Sequence, residues 1–306
     1  MSHFVIVGPT ASGKSALAHE LARRSNSEIE IVSVDSMQVY RGMDIGTAKP
    51  SLQDQGEIPY HMIDLVEPSE EFSLAAFQEA AIKTISDIET RGHRALLVGG
   101  TGLYVQAVVD GLEVPGRYPQ VREELEAQPD TWGLHAYLSE LDPLGASRME
   151  RSNRRRIIRA LEVTIGSGRP FSSFGPGLEA YPKSKFRMIG LRPDIEDLDR
   201  SIEKRFRKMI EDGFVDEVAG LSSAPGGLSQ TAKQALGYRE LISYLSADIS
   251  LEEAGEKTRL RTRQFARRQL RWFRRDPRIK WIVPKESQQK NSLAEVEQIL
   301  EDWADE

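Results

Sequence analysis

Residues 4–15 read Phe4-Val5-Ile6-Val7-Gly8-Pro9-Thr10-Ala11-Ser12-Gly13-Lys14-Ser15. The last eight fit the phosphate-binding pattern G-x-x-x-x-G-K-[ST]. The apolar run before them predicts a strand, and residues 16–22 predict a helix. In that setting backbone N–H groups face an anion, Lys14 places a charge on a phosphate oxygen, and the Ser15 hydroxyl suits Mg²⁺. We predict a di- or triphosphate site formed by Gly8, Pro9, Thr10, Ala11, Ser12, Gly13, Lys14 and Ser15. The alternative is a chance match at a glycine-containing turn.

The residues after two further strands argue against a hydrolytic motor. In nucleotide triphosphatases, an aspartate at the end of an apolar strand holds Mg²⁺. The strand predicted at 95–98 runs instead into Gly99-Gly100-Thr101-Gly102, and the carboxylate Asp35 ends a different strand, at 31–34. An acid at one strand tip and a hydroxyl at another favour a transferase.

The order of predicted elements indicates the fold. Residues 1–112 alternate strand-like and helix-like segments, which predicts an α/β fold with a P-loop NTPase-like parallel sheet covered by helices. Residues 113–185 read as helices between turns rich in proline and glycine, so we expect a mostly helical insertion domain. Residues 186–191 predict a strand that rejoins the sheet, and 197–213 an amphipathic helix with a glycine cap. The expected domains are 1–112 with 186–306, and 113–185; the acidic segment after Ser292 reads as a surface helix.

Composition excludes several classes of protein. With 306 residues, of which 39% are hydrophobic, the chain can bury one or two ordinary cores. No apolar run approaches the roughly 18 residues of a membrane span, and the N-terminus reads as a strand rather than a signal peptide. We expect a cytoplasmic monomer with no membrane partner. The absence of cysteine excludes disulfides and cysteine-ligated zinc, and the five histidines form no ligand pattern.

Basic residues are concentrated near the C-terminus, although the net charge is −6. Residues 257–280 hold eleven Lys or Arg residues and a single acid, Asp276. Arg263, Arg267 and Arg271 belong to six arginines, from 259 to 278, whose spacing predicts one basic stripe on a helix. A solvated basic face is the alternative, but so few compensating acids favour contact with nucleic-acid phosphates. A second basic cluster at 151–159 opens another helix, and the two clusters would hold an RNA from two sides.

Seven motifs give a more specific indication. They are GPTASGKS at 8–15, DSMQVYRGMDIGTAKP at 35–50, YHMIDLVEP at 60–68, VGGTGLY at 98–104, RALEV at 159–163, QALGYRE at 234–240 and TRQFARRQLRWFRR at 262–275. In order and spacing the chain resembles bacterial tRNA dimethylallyltransferases over nearly its whole length, and the second motif is hard to place in any other family.

The resemblance implies a reaction and roles for individual residues. A dimethylallyl group would move from dimethylallyl diphosphate to N6 of adenosine 37 of tRNA, just 3′ of the anticodon, with Mg²⁺ as cofactor. The loop and Arg205 would bind the diphosphate, Asp35 would accept the amine proton, and Thr101 would hydrogen-bond the Asp35 region or the reacting amine. The alternatives are a structural salt bridge for Arg205, a Mg²⁺ ligand or helix cap for Asp35, and a helix cap for Thr101. The target base would flip out of its stack into a channel.

The anticodon stem-loop is the expected RNA partner, and the insertion domain at 113–185 is expected to contact the tRNA. Gln38, Tyr40 and Arg41 are expected to hold bases of the loop by hydrogen bonding and stacking. The full set of expected tRNA contacts is Ser36, Met37, Gln38, Tyr40, Arg41, Arg156, Arg159, Arg263, Arg267 and Arg271. Three other functions stay open. A small-molecule kinase would turn over ATP and would have no use for the basic helix. An adenylate isopentenyltransferase would lack the insertion and the basic C-terminal segment, and a noncatalytic RNA-binding module would not need Lys14 and Asp35 together.

Overall fold

The computed structural model describes residues 3–25, 29–284, 294–296 and 298. Six strands within these ranges form one parallel sheet in the order β3-β2-β4-β1-β5-β6. The strands are β1 (His3–Val7), β2 (Ile29–Val34), β3 (Tyr60–His61), β4 (Arg94–Gly99), β5 (Phe186–Leu191) and β6 (Ile279–Ile282). The predicted α/β class and parallel sheet are confirmed.

Strand β1 is central because β4 and β5 pair with its two edges. All five of its residues are buried, and successive side chains point to opposite faces of the sheet. Val5 and Val7 pack into one hydrophobic core, and Phe4 and Ile6 pack into another. An uninterrupted apolar run is typical of a parallel strand that is covered on both faces.

Helices connect the strands, and residues of two of them, Leu21 and Phe77, pack against opposite faces of the sheet. Those assigned within the described ranges are α1 (Lys14–Arg24), α2 (Leu52–Glu57), α3 (Leu74–Thr90), α4 (Gly102–Asp110), α5 (Pro119–Glu126), α6 (Thr131–Leu141), α7 (Pro143–Ser147), α8 (Arg154–Ser167), α9 (Ile195–Glu211), α10 (Phe214–Ser223), α11 (Tyr238–Leu245) and α12 (Leu251–Phe273). None of these helices is both long enough and apolar enough to cross a membrane.

The chain divides into two compact units, Met1–Val109 with Lys183–Glu306, and Asp110–Pro182. The smaller unit contains α5 to α8, and its residues, all of them described, form no strand. It has a hydrophobic core of its own, which includes Leu134, Leu138 and Leu161. Both boundaries lie three residues before the expected ones.

Two details at the C-terminal side differ from the sequence interpretation. Helix α12 ends at Phe273, so the expected six-arginine stripe is wrong at its end: Arg278 lies beyond the helix and pairs with Asp276 at 2.7 Å. Strand β6 was not predicted, because it begins inside the basic segment at 257–280 and one of its four residues is Lys280. The surface helix expected after Ser292 falls mostly outside the described residues.

Candidate active site

The loop between β1 and α1 forms an anion site at a helix N-terminus. Gly13 precedes the first residue of α1 with φ of +84°, a left-handed conformation that favours glycine. Lys14 Nζ donates a hydrogen bond to the Pro9 carbonyl oxygen at 3.2 Å. The Ser12 hydroxyl is buried and has no hydrogen-bond partner in the described part of the chain, and Ser15 is exposed on the first turn of α1. The loop therefore offers donors that a phosphate group can use.

Asp35 and Thr101 lie beside this loop because they follow the carboxyl ends of β2 and β4, which are neighbours in the sheet. Both residues line a cavity of about 540 Å³ together with residues 10–16 of the loop. Asp35 Oδ1 accepts a hydrogen bond from the Met37 N–H at 2.8 Å. The Thr101 carbonyl accepts from the N–H groups of Tyr104 and Val105 as α4 begins, and its hydroxyl forms no hydrogen bond to another described residue.

Arg205 reaches the loop from α9. Its Nη1 donates a hydrogen bond to Thr10 Oγ1 at 3.2 Å, and the side chain lines the same cavity. Burial lowers the pKa of Lys14 to about 8; the negative charge of Asp35 opposes this shift and the positive charge of Arg205 adds to it. Burial also lowers the pKa of Arg205, again opposed by Asp35. Two partly dehydrated cations at one loop favour the binding of an anion.

Gln38 holds a turn that forms one wall of the cavity. Its Nε2 donates hydrogen bonds to the carbonyls of Thr47 and Ala48, at 3.1 and 3.2 Å. Its Oε1 accepts from Ser33 Oγ at 2.7 Å. Residues 46–48 line the cavity, so Gln38 shapes that wall through the backbone.

Glu217 on α10 fixes the start of the same turn. Its carboxylate accepts hydrogen bonds from three successive N–H groups, those of Asp44, Ile45 and Gly46, at 2.9, 2.7 and 3.1 Å. The Tyr238 hydroxyl donates a fourth hydrogen bond at 2.6 Å. Sequence reasoning missed this cluster, since α10 lies about 170 residues further along the chain.

The side chain of Lys49 fixes the other end of the turn. Its Nζ lies 2.6 Å from Asp44 Oδ1 and 2.6 Å from Asp64 Oδ1, and it donates to the Tyr40 carbonyl at 2.9 Å. The ammonium group is thus surrounded by oxygen atoms, and the side chain is only 2% exposed.

Tyr40 requires a correction. Its side chain is fully buried in the larger core, so the ring cannot stack on a nucleobase. Arg41 is exposed and donates to Glu67 Oε1 at 2.8 Å. Ser36 and Met37 line the cavity beside Asp35.

The arginines of α12 point in different directions. Arg267 Nη2 lies 3.0 Å from Asp199 Oδ2 on α9, and Arg263 lies 3.9 Å from carboxylate oxygens of both Asp199 and Glu203. Arg271 is exposed and forms no ion pair with a described residue. The acids of α9 therefore partly neutralise two of the three arginines, and the RNA contacts of all three stay predictions.

Another face of α12 lines the cavity, and sequence reasoning did not select it. It presents Arg261, Phe265, Arg268 and Gln269. Arg261 pairs with Glu240, whereas Arg268 is exposed and lies over the Phe265 ring. These four residues are spaced as i, i+4, i+7 and i+8, which places them on one face of a helix. This spacing is the feature of the sequence that could have identified them.

In the smaller unit, Arg159 is used internally. Its Nη1 lies 2.8 Å from Glu162 Oε1, and its Nη2 donates to the Pro115 carbonyl at 2.8 Å. Arg156 is exposed on the first turn of α8 and forms no ion pair within the described residues. The RNA contacts predicted for both stay predictions.

Comparison with known proteins agrees with the motifs. The IPP transferase family matches residues 38–276, and the isopentenyl transferase family matches residues 1–58. The tRNA dimethylallyltransferase of Geobacter metallireducens is 45% identical over 284 residues, which cover 91% of this chain and 91% of that protein.

Two solved structures resemble this fold. The tRNA isopentenylpyrophosphate transferase of Bacillus halodurans has a TM-score of 0.72 at 37% identity, covering 99% of this chain and 96% of that one. A eukaryotic dimethylallyltransferase described as acting on tRNA has a TM-score of 0.79 at 27% identity, covering 97% of this chain and 77% of that one. By these matches and by its phosphate-binding loop, the chain belongs to the IPP transferase family of tRNA dimethylallyltransferases.

Proposed function

We propose that this enzyme transfers the dimethylallyl group of dimethylallyl diphosphate to N6 of adenosine 37 in tRNA. The N6 amine attacks C1 of the allyl group, the C1–O bond breaks, and diphosphate leaves with the bonding electrons. The amine then loses a proton, which Asp35 accepts. One carboxylate oxygen of Asp35 is occupied by the Met37 N–H, which orients the group and leaves the other oxygen for the substrate.

The cations of the loop support stabilisation of the leaving group. Lys14, Arg205 and the N–H groups at the start of α1 lie around the loop, so negative charge that develops on the diphosphate meets donors already in place. The Ser12 hydroxyl gives a further donor, since it lacks a partner among the described residues. Arg205 acts here as a diphosphate ligand, and its hydrogen bond to Thr10 orients it.

Mg²⁺ fits the oxygen atoms at this end of the cavity. When bound, the ion would neutralise charge on the diphosphate oxygens. Ser15 offers a hydroxyl oxygen, and Mg²⁺ commonly takes one or two protein oxygens together with substrate phosphates and water. The described residues contain no cluster of three His, Cys, Asp or Glu side chains suited to a metal.

The anticodon stem-loop is the proposed RNA partner. Arg268 is exposed on α12 and lines the cavity, Arg271 is exposed on the same helix, and Arg156 is exposed in the smaller unit. A tRNA substrate makes the cytoplasm the expected place of action, and a monomer suffices because one subunit supplies every proposed site residue.

The shared cavity of Lys14, Arg205 and Asp35 is the observation that carries this proposal. The protein should be incubated with dimethylallyl diphosphate, Mg²⁺ and either unmodified bulk tRNA or AMP, followed by mass analysis of nucleosides. We expect dimethylallyladenosine in the reaction that contains tRNA and no prenylated product in the reaction that contains AMP. Product from AMP alone would identify an adenylate isopentenyltransferase.

The proposed ligand also distinguishes this enzyme from a kinase. We expect calorimetry to detect dimethylallyl diphosphate binding that tRNA strengthens, with ATP binding no better than inorganic diphosphate. ATP hydrolysis coupled to phosphorylation of a small metabolite would contradict the proposal.

A further inference from the structure

Gln269 on α12 joins two loops of the site. Its Oε1 accepts a hydrogen bond from the Thr10 N–H at 2.8 Å, and its Nε2 donates to the Gly100 carbonyl at 2.8 Å. The residue is only 6% exposed, so bulk water does not compete with these bonds. One side chain thus spans from the phosphate-binding loop to the turn that carries Thr101.

The surroundings leave the amide of Gln269 little freedom. A Cβ atom added at Gly100 would lie 2.4 Å from Nε2 and 3.1 Å from the Gly8 carbonyl oxygen, so the contact requires glycine. Thr10 is held from its other side by Arg205, through its hydroxyl. Gln269 on α12 therefore fixes the position of the loop at 8–15 relative to the turn at 99–102.

The same helix carries the side chains proposed to meet RNA. Arg268 adjoins Gln269 in sequence, and both line the cavity together with Phe265. A rotation or shift of α12 that followed contact between Arg268 and a phosphate would move Gln269, and Gln269 would move the Thr10 backbone. Because the Thr10 N–H donates to Gln269, this N–H is not left for the diphosphate. Gln269 would therefore affect diphosphate binding by changing the conformation of the loop, without contacting the diphosphate.

We propose that Gln269 is a positioning residue that couples RNA binding on α12 to diphosphate binding in the loop at 8–15. The inference rests on the proposed function and adds the element that links the two substrates. Coupling between two sites is reciprocal, so RNA and diphosphate should strengthen each other's binding by the same factor.

Calorimetry with two non-reacting probes tests this coupling. The dissociation constant of inorganic diphosphate with Mg²⁺ is measured with and without an unmodified anticodon stem-loop RNA, and the RNA is titrated with and without diphosphate. We expect mutual strengthening of about 5- to 150-fold in the wild type, the usual range of such coupling. In Gln269→Met, which keeps the length of the side chain and removes both hydrogen bonds, the factor should fall below about 2.

Gln264→Met is the matched control, because Gln264 is exposed on the same helix and should leave the coupling factor unchanged. Gly100→Ala places a methyl group against the Gln269 amide and should also lower the coupling factor below about 2. This variant tests the inference if Gln269→Met does not fold. Full coupling in either folded variant, or no coupling in the wild type, overturns the inference. The product assay separates the two proposals: an enzyme that still prenylates tRNA while Gln269→Met keeps wild-type coupling would refute only the role of Gln269.

Discussion

The guanidinium of Arg267 on α12 forms an ion pair with the carboxylate of Asp199 on α9, with Nη2 and Oδ2 3.0 Å apart. Arg263, one turn earlier, approaches the same carboxylate at 3.9 Å. These two arginines have acids beside them, whereas Arg268 and Arg271 are exposed without such an acid in the described part of the chain. The arginines of α12 therefore fall into two electrostatic groups, one with neighbouring acids and one without.

Substitution of Arg268 and Arg271 together by Ala should weaken tRNA binding and its dependence on salt. Each phosphate contact releases condensed counterions when RNA docks, so each lost contact should flatten the slope of log K against log salt by about 0.7 to 0.9. Filter binding over a range of KCl concentrations measures this slope. The pair Arg263→Ala and Arg267→Ala is the matched control, and its effect should be smaller because acids already screen those charges. Equal slopes for the two double variants would contradict this division.

Asp35→Asn should lower turnover by on the order of 10² to 10⁴, because the amide cannot accept the amine proton. The Asn oxygen can still accept from the Met37 N–H, so the turn and tRNA affinity should stay near those of the wild type. Single-turnover prenylation and RNA binding measure the two properties separately. Turnover within a few-fold of wild type would mean that Asp35 is structural or a metal ligand.

The affinity for dimethylallyl diphosphate should fall as pH rises above about 8. Burial lowers the pKa of Lys14 to about 8 in the free protein, and a bound anion favours the protonated amine and raises that pKa. Affinity is therefore full below this pKa and should drop up to about tenfold per pH unit above it. Calorimetry in buffers of different ionisation enthalpy should also detect proton uptake at pH 8 to 9. Lys14→Arg serves as the control, since arginine does not titrate there; a wild-type profile as flat as that of this variant would refute the prediction.

Glu30→Gln should lower the free energy of unfolding at pH 7 by about 2 kcal/mol, the scale expected when a buried hydrogen-bonded charge is removed. The Glu30 side chain is buried on β2, with Arg91, His61 and His93 within 3.0 Å of its oxygens. Burial would raise the pKa of Glu30, but hydrogen bonds from these three residues outweigh it and lower the pKa to about 2.

The stabilisation by Glu30 should depend on pH. The folded pKa of Glu30 lies below the unfolded value of about 4.3, so the stabilisation is present above pH 4.3 and is lost as pH falls toward 2. Urea unfolding of both proteins at pH 7 and pH 3 should therefore give a smaller difference at pH 3. Glu20→Gln removes a carboxylate that is also paired with arginines but is 30% exposed, and it should change stability much less. A difference that grew toward pH 3 would contradict the assignment.

Local patterns predicted most of the sheet. The apolar run at β1, the glycine loop and the acid at Asp35 follow one another closely in sequence, so periodicity and turn chemistry identified them. Strand β6 was not predicted because it lies at the edge of the sheet, where burial is incomplete. Two of its four residues, Lys280 and Trp281, are not buried, so the strand lacks a continuous apolar pattern. Tyr40 was misread because an aromatic residue inside a binding motif can belong to the core as well as to the site.

Contacts between distant parts of the chain could not be read from sequence. Gln269 and Thr10 are 259 residues apart, and Glu217 and Asp44 are 173 residues apart. Gln269 does lie at helical spacing from the buried Ala266 and Phe273, which indicates an inward direction. The sequence does not show that the buried Gln269 side chain contacts the phosphate-binding loop; the structure does.

The central place of β1 in the sheet has a consequence during synthesis. Its partners β4 and β5 lie about 90 and about 180 residues further along the chain. At 5 to 20 residues per second, the apolar strand leaves the ribosome roughly 5 to 20 s before its first neighbour and about twice as long before its second. An unpaired apolar strand invites wrong pairing during that interval. The smaller unit, whose residues are made between β4 and β5, thus prolongs the time for which one edge of the central strand stays open on the nascent chain.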